Sequence, residues 1–395
     1  MTDQRLRELF EERVADLTTV DLTSEAWDRA SVVRRRRRTV AGVAVAVVAV
    51  IGGMTVVLAG DADDDASPPP ATSSTDSEPV PLAVRGGTYA GLPVWWAPAA
   101  EGESQLPEMG GTALPPMIDL TAPDGPVPAG MRAVGVFQLA GDDSTVGRVV
   151  VVGVDGASYS LDVSRLSMLA DETGNVSAPV SQESVSPNGR YAFFPQERSL
   201  EVYDLDAASW HSIPLRRWAA RAASWTADGT AIQIQRARFS SPFFDLYAPS
   251  GGHVGTTRES DGFYVGPRGD DDYYGPVRRA GDGRGARGLF LAGPLTEPSG
   301  QEVSSVDAIG AGGDGDPQAL LAFSQIGGGE GRWLQCCPIA GWLDDNVTVL
   351  FESRHANARI LAWRVGTRGL SRVSGIRGWT PGEESYVASF ADLSP

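Results

Sequence analysis

The side chains that could do chemistry are few and widely scattered. There are three histidines, His211, His253 and His355, and no two are a turn of helix apart. That spacing excludes the His-Glu-x-x-His pattern that puts two zinc ligands on one helical face. No Gly-x-Ser-x-Gly run is present to hold a serine nucleophile on a strained turn. All 33 basic residues are arginine. A chain without lysine has no P-loop lysine, no Schiff base and no lysine general base, and arginine does not deprotonate to replace them. The two cysteines, Cys336 and Cys337, are adjacent and precede Pro338. Their spacing is neither a CxxC redox pair nor a zinc knuckle. A vicinal disulfide that stiffens a loop is one reading, and two separate or intermolecular thiols are the other. Asp270, Asp271 and Asp272, and Asp314 with Asp316, are oxygen-rich but lack the spacing of a calcium loop. Trp95, Trp96, Tyr273 and Tyr274 read as core aromatics or as a ligand surface. No catalytic residue, metal or cofactor is expected.

The elements that must carry these residues are set by charge and hydropathy. The net charge of −17 is uneven. Residues 1–38 hold 9 Arg and 8 acids, residues 39–60 hold no charge, and residues 61–395 hold 24 Arg and 42 acids. A domain this acidic repels phosphate backbones, so nucleic acid is not an expected partner. Residues 39–60 comprise 8 Val, 5 Ala, 4 Gly, 2 Thr and one each of Ile, Met and Leu. As a helix they span roughly 33 Å, against about 30 Å of hydrocarbon. Arg34, Arg35, Arg36, Arg37 and Arg38 precede this run and Asp61, Asp63, Asp64 and Asp65 follow it. The positive-inside bias therefore predicts a single-pass anchor in the cell membrane, with the N-terminus cytoplasmic and the C-terminal domain extracytoplasmic. The run is longer than a signal-peptide core, although Val57-Leu58-Ala59 offers a small-residue cleavage site. Gly42, Ala46, Ala49 and Gly53 share one helical face and suggest a route to a homodimer.

Residues 1–38 read as a short helical cytoplasmic tail. Leu6, Leu9, Phe10, Val14 and Leu17 form one apolar face, and a second helix starts at Ser24 and carries Trp27. So short a tail buries no core of its own. Leu6, Leu9, Phe10 and Trp27 are the candidate residues for docking a cytosolic protein. Residues 61–81 form a Pro/Ser/Thr/Asp linker that stays disordered and holds the next domain away from the membrane.

Residues 82–395 read as all-β. Apolar runs at 134–139, 149–154, 191–194, 231–234, 289–291, 320–323, 347–351 and 360–365 are separated by Gly, Pro, Asp and Asn. The run Ser184-Val185-Ser186-Pro187-Asn188-Gly189 recurs forty residues later as Ser224-Trp225-Thr226-Ala227-Asp228-Gly229. It returns in degenerate form at Gly341-Trp342-Leu343-Asp344-Asp345. Asn188, Gly189, Asp228, Gly229 and Asp345 are the expected turn positions. Trp225 and Trp342 are 117 residues apart, close to three periods of 39. A period near 40 is that of a four-stranded propeller blade. These runs resemble the WD40-like repeats of TolB-type propellers, whose signature is roughly Ser-x-Ser-Pro-Asp-Gly. The resemblance implies a β-propeller. At 40–45 residues per blade, the length predicts about seven four-stranded blades, within a range of six to eight. Residues 82–125 and 255–315 fit the period poorly.

The layout also resembles actinobacterial single-pass membrane proteins with an arginine-rich juxtamembrane block. Three functions follow as expectations. The first is a non-enzymatic extracytoplasmic module that binds a protein or peptide, as scaffold or sensor. The second is a transmembrane, anti-sigma-like regulator whose cytoplasmic helices hold a transcription factor, although the chain has no zinc-binding anti-sigma motif. The third is a cell-envelope hydrolase.

Overall fold

Valines 149 to 152 are all fully buried. A strand with both faces covered lies inside a stack of sheets, not on the surface of one. The computed structural model shows that stack as a ring of blades. It describes residues 82–139, 145–170, 176–216, 223–226, 228–235, 243–258, 272–280, 282–313, 318–323, 337–343, 347–353, 358–378 and 386–393. The expected tail, anchor and linker lie outside the described residues, as do Arg34 to Arg38, Leu6, Leu9, Phe10, Trp27, Cys336 and Asp345. No described helix is long and apolar enough to cross a membrane.

Among the described residues, five antiparallel blades make up the ring. Blade 1 is assembled from both ends of the domain: Tyr386–Phe390 is innermost, followed by Ala133–Leu139, Val149–Gly153 and Ser158–Leu161. Blade 2 holds Tyr191–Pro195, Ser199–Asp204 and Ser209–Pro214, and Val185 bridges to Ala192 on its inner side. Blade 3 holds Ala223–Trp225, Ile232–Gln235, Phe243–Tyr247 and His253–Arg258. Blade 4 runs through Asp272–Arg279, Gly285–Leu291, Val306–Gly312 and Ala319–Phe323. Blade 5 runs through Ile339–Trp342, Thr348–Ser353, Arg359–Arg364 and Leu370–Arg377.

The core lies between blades. Val136, Val151, Ala192 and Phe194 join blades 1 and 2. Phe193, Val202, Trp225 and Ile232 join blades 2 and 3. Ile309, Leu321, Phe351 and Trp363 join blades 4 and 5, and Leu350, Ile360, Phe137 and Phe390 join blades 5 and 1. The last of these joints includes an edge-on Phe137–Phe390 pair with ring centroids 5.5 Å apart. The ring therefore closes through the C-terminal strand, which supplies the inner edge of a blade begun 250 residues earlier.

The expected number of about seven blades is corrected to the five that the described residues form. Length alone misled, because the first fifty residues of the domain form no blade. They run as a belt along the outer edges of three others. Leu92–Ala97 pairs in parallel with Ala319–Phe323, and Val84–Tyr89 adds outside it. Pro107 and Met109 exchange backbone hydrogen bonds with Arg372, and Met117–Asp119 lies parallel to Leu370–Arg377. The Asp124 amide donates to the Ser158 carbonyl and the Ser160 amide donates to Gly125. Blades 4, 5 and 1 are thus strapped in that order. Blade 4 also carries an inserted hairpin, Leu295–Thr296 with Glu302–Val303. These two features are the regions that fit the forty-residue period poorly.

Candidate functional site

The repeated Ser-x-Asn-Gly and Thr-x-Asp-Gly runs build turns in blades 2 and 3. In blade 2 the Ser186 hydroxyl donates to Asn188 Oδ1 at 2.8 Å, and the Arg190 amide donates to the same oxygen at 3.0 Å. The Tyr191 amide closes the loop on Ser186 Oγ at 2.9 Å. In blade 3 Asp228 takes the place of Asn188, accepting from the Thr226 hydroxyl at 2.6 Å and the Thr230 amide at 3.1 Å. These donors, the Thr226 hydroxyl first, hold the Asp228 carboxyl below its ordinary range. Gly189 and Gly229 both have φ of +65°, which explains glycine at that position. The turn residues are therefore structural.

The tryptophans aligned by the repeat share one task. Trp225 Nε1 donates to the Ser184 carbonyl at 3.1 Å, linking the inner strand of blade 3 to that of blade 2. Trp342 Nε1 donates to the Arg278 carbonyl at 2.9 Å, linking blade 5 to blade 4. At the corresponding position of blade 2, Val185 donates its amide to Ser389 Oγ of blade 1 at 2.8 Å. Three of the five inner strands are thus fastened to the one before.

These links converge on the axis of the ring. The Gln182 carbonyl accepts from the Ser389 hydroxyl of blade 1 at 2.9 Å and from Arg278 Nη2 of blade 4. Beside it, Glu183 accepts from the Ser224 hydroxyl of blade 3. Ser224 Oγ in turn accepts from Gln233 Nε2 at 2.8 Å. Burial pushes the Glu183 carboxyl above its ordinary range, against the pull of Arg278, the Ser224 hydrogen bond and Arg287. Burial likewise draws the Arg278 guanidinium below its ordinary value, opposed by Glu183, Glu352 and Asp392. Arg278 Nε is buried without a hydrogen-bond partner. The cluster has an acid and a hydroxyl, but no described histidine stands beside them to act as a base. It acts as a cross-brace between non-adjacent blades. Glu183, Ser224 and Arg278 were not visible as a site in the sequence, because residues from three blades share no spacing. The one available signal was the repeat, whose first and second copies carry Ser184 and Ser224 at the edge of this axis.

The structure does not gather the other candidates. His211 lies on the outer strand of blade 2. His253 lies on the outer strand of blade 3, 3.4 Å from Asp245 and edge-on to Tyr247. His355, Asp270, Asp271, Asp314 and Asp316 lie outside the described residues. Among the described residues no group of three His, Cys, Asp or Glu could hold a metal ion. Trp96 is buried against blade 4, and Trp95 packs on the core between blades 4 and 5. Cys337 is buried, has φ of +111° and carries its sulfur in a disulfide.

A second buried polar group ties the belt down. The short 3-10 helix Ala100–Gln105 inserts Glu103, 1% exposed, beneath blade 5. The Ser353 hydroxyl donates to both of its carboxylate oxygens at 2.9 and 2.8 Å, and Arg359 Nε stands 3.7 Å away.

No family model and no curated protein matches the chain. Among solved structures, it is similar to a TolB of Agrobacterium tumefaciens at 14% identity and a TM-score of 0.25, over 62% of this chain and 70% of that one. TolB from Acinetobacter baumannii aligns over 63% of this chain and 54% of its own length, at 12% identity and a TM-score of 0.30. The WD40 repeats of RRP9 align over 53% of this chain and 86% of theirs, at 12% identity and a TM-score of 0.26.

Proposed function

We propose that the chain is a membrane-anchored extracytoplasmic propeller that binds a protein or peptide partner and does no chemistry on it. The supporting observation is the braced axis. The concave site that a ring offers is crossed by the chain's own Arg278, which reaches from blade 4 to the Gln182 carbonyl of blade 2. Recognition is left to loops and edges carried on a rigid scaffold, the usual arrangement for a binding module. The anchor rests on residues 39–60 and the arginine block before them.

Two measurements test this reading. A reporter fused after Pro395 is expected to be active only outside the cytoplasm, and activity inside would sink the topology. Photo-cross-linking side chains placed in the full chain at the exposed positions Met117, Val176 and Val254 are expected to give a discrete protein adduct in cells. No adduct at any of the three would sink the binding reading.

A further inference from the structure

Every other joint in the ring is closed by an apolar cluster, but among the described residues none joins blade 3 to blade 4. What meets across this seam is polar and centres on Glu183. Its carboxylate accepts from the Ser224 hydroxyl of blade 3 and faces the guanidinium groups of Arg278 and Arg287 on blade 4. Ser224 Oγ is held from its own blade by Gln233 Nε2 at 2.8 Å. Arg278 in turn faces Glu352 of blade 5 and Asp392, just past the innermost strand of blade 1. No described histidine is among these groups.

The carboxylate is poorly compensated. One hydroxyl donates to it, and Arg278 gives its hydrogen bond to the Gln182 carbonyl instead. A charge withdrawn from water with so few donors is costly, whereas the neutral acid keeps the Ser224 bond through its carbonyl oxygen without that cost. Burial accordingly outweighs both guanidinium groups, and the carboxyl is held above its ordinary value of 4.5. Opening the seam returns the group to water, where it ionises at that ordinary value. The stability the proton lends to the closed seam is complete below 4.5 and is lost as pH rises through the higher, closed-state value.

We propose that Glu183 is a pH-operated latch between blades 3 and 4: protonated it closes the seam, and ionised it lets the seam open. Glu183 is partly exposed at the axis, so its proton comes from solvent and returns to it. The inference is independent of what the propeller binds.

Hydrogen exchange on the full chain in detergent, at about pH 4 and about pH 8, tests the latch. Protection is corrected for the intrinsic rate at each pH and taken relative to Val149–Gly153 of blade 1. At Ala223–Trp225 and Asp272–Arg279, the inner strands on either side of the seam, it is expected to be at least about threefold higher at the acid pH. Glu183→Gln, neutral throughout, is expected to hold the acid level of protection at both. Ser224→Ala removes the hydroxyl donor, which the charged form needs more than the neutral one, and is expected to widen the ratio by about a further twofold. Equal protection at the two pH values, or greater protection at the alkaline one, overturns the proposal. So does a Glu183→Gln protein whose seam keeps the wild-type pH dependence, because another group would then be titrating. If the glutamine variant does not fold, wild type against Ser224→Ala decides: an unchanged or smaller ratio in the alanine variant overturns the latch.

Discussion

Gly189 is required on two counts. Its φ of +65° lies in the left-handed region, and a Cβ there would stand 2.2 Å from the Ala133 carbonyl oxygen. That oxygen cannot withdraw cheaply, because the Ala133 amide is itself bonded to the Gly189 carbonyl at 2.8 Å. Gly229 has the same φ, but its nearest neighbour would be the Asn188 amide nitrogen at 3.2 Å, the tip of a side chain. Gly229→Ala is expected to cost about 1–2 kcal/mol, the left-handed penalty alone. Gly189→Ala should cost about 3 kcal/mol or more, since backbone must move as well. Denaturant unfolding of the two variants checks this; equal losses would show that the close approach to Ala133 does not matter. Asp228 gives a pH prediction. Its carboxyl is held below 3.8 in the fold, so its contribution is complete above 3.8 and is lost as pH falls through the lower, folded value. Asp228→Asn is expected to preserve the turn, as Asn188 does in blade 2, and to remove this part of the acid sensitivity. Thermal melts from pH 2 to 7 should show the wild type losing more stability than the variant at the acid end. These turn positions were legible in the sequence because their chemistry is local: hydroxyl, carboxyl or amide, and glycine lie within four residues. The brace of Glu183, Ser224 and Arg278 was not, because it depends on which blades face one another across the axis.

At the scale of elements, the belt is where counting by length failed. Its hydrogen bonds are those of edge strands, and its sequence, rich in Pro and Gly, carries no repeat to mark it. The strands of the blades were legible because both faces of each are covered, which leaves continuous apolar runs such as 149–152. The belt has an apolar run of its own, Leu92–Ala97, but that run stands in no forty-residue repeat. Its firmest attachment is Glu103, buried with Ser353 and Arg359. Glu103→Ala removes the carboxylate nearest a buried guanidinium and is expected to destabilise the protein by about 3–5 kcal/mol. Glu103→Gln keeps an acceptor for Ser353 and should cost less. Amide exchange at Met109 and Arg372, which are bonded across the belt, is expected to accelerate in the alanine variant before exchange in the blade interiors does. Unchanged protection at those two amides would mean that the backbone pairing alone holds the belt.

At the scale of the molecule, the ring divides into a strapped arc and a bare arc. Blades 4, 5 and 1 share the belt, and they contain strands that are buried throughout, as in Val306–Gly312 and Ala319–Phe323. Blades 2 and 3 have no described strand on their outer edges. Blade 3 is the less buried of the two. Of Phe243–Tyr247 and His253–Arg258 no residue is fully buried, while blade 2 keeps Leu200–Asp204 inside. Among the described residues, apolar clusters join blade 3 to blade 2 but none joins it to blade 4. Local opening is least costly where few apolar contacts must be broken. Native-state hydrogen exchange on the full chain is therefore expected to release the amides of blade 3 first, then those of blade 2. The amides of Val306–Gly312 and Ala319–Phe323 should exchange only with global unfolding. Uniform protection across the five blades would show that the ring opens as one unit.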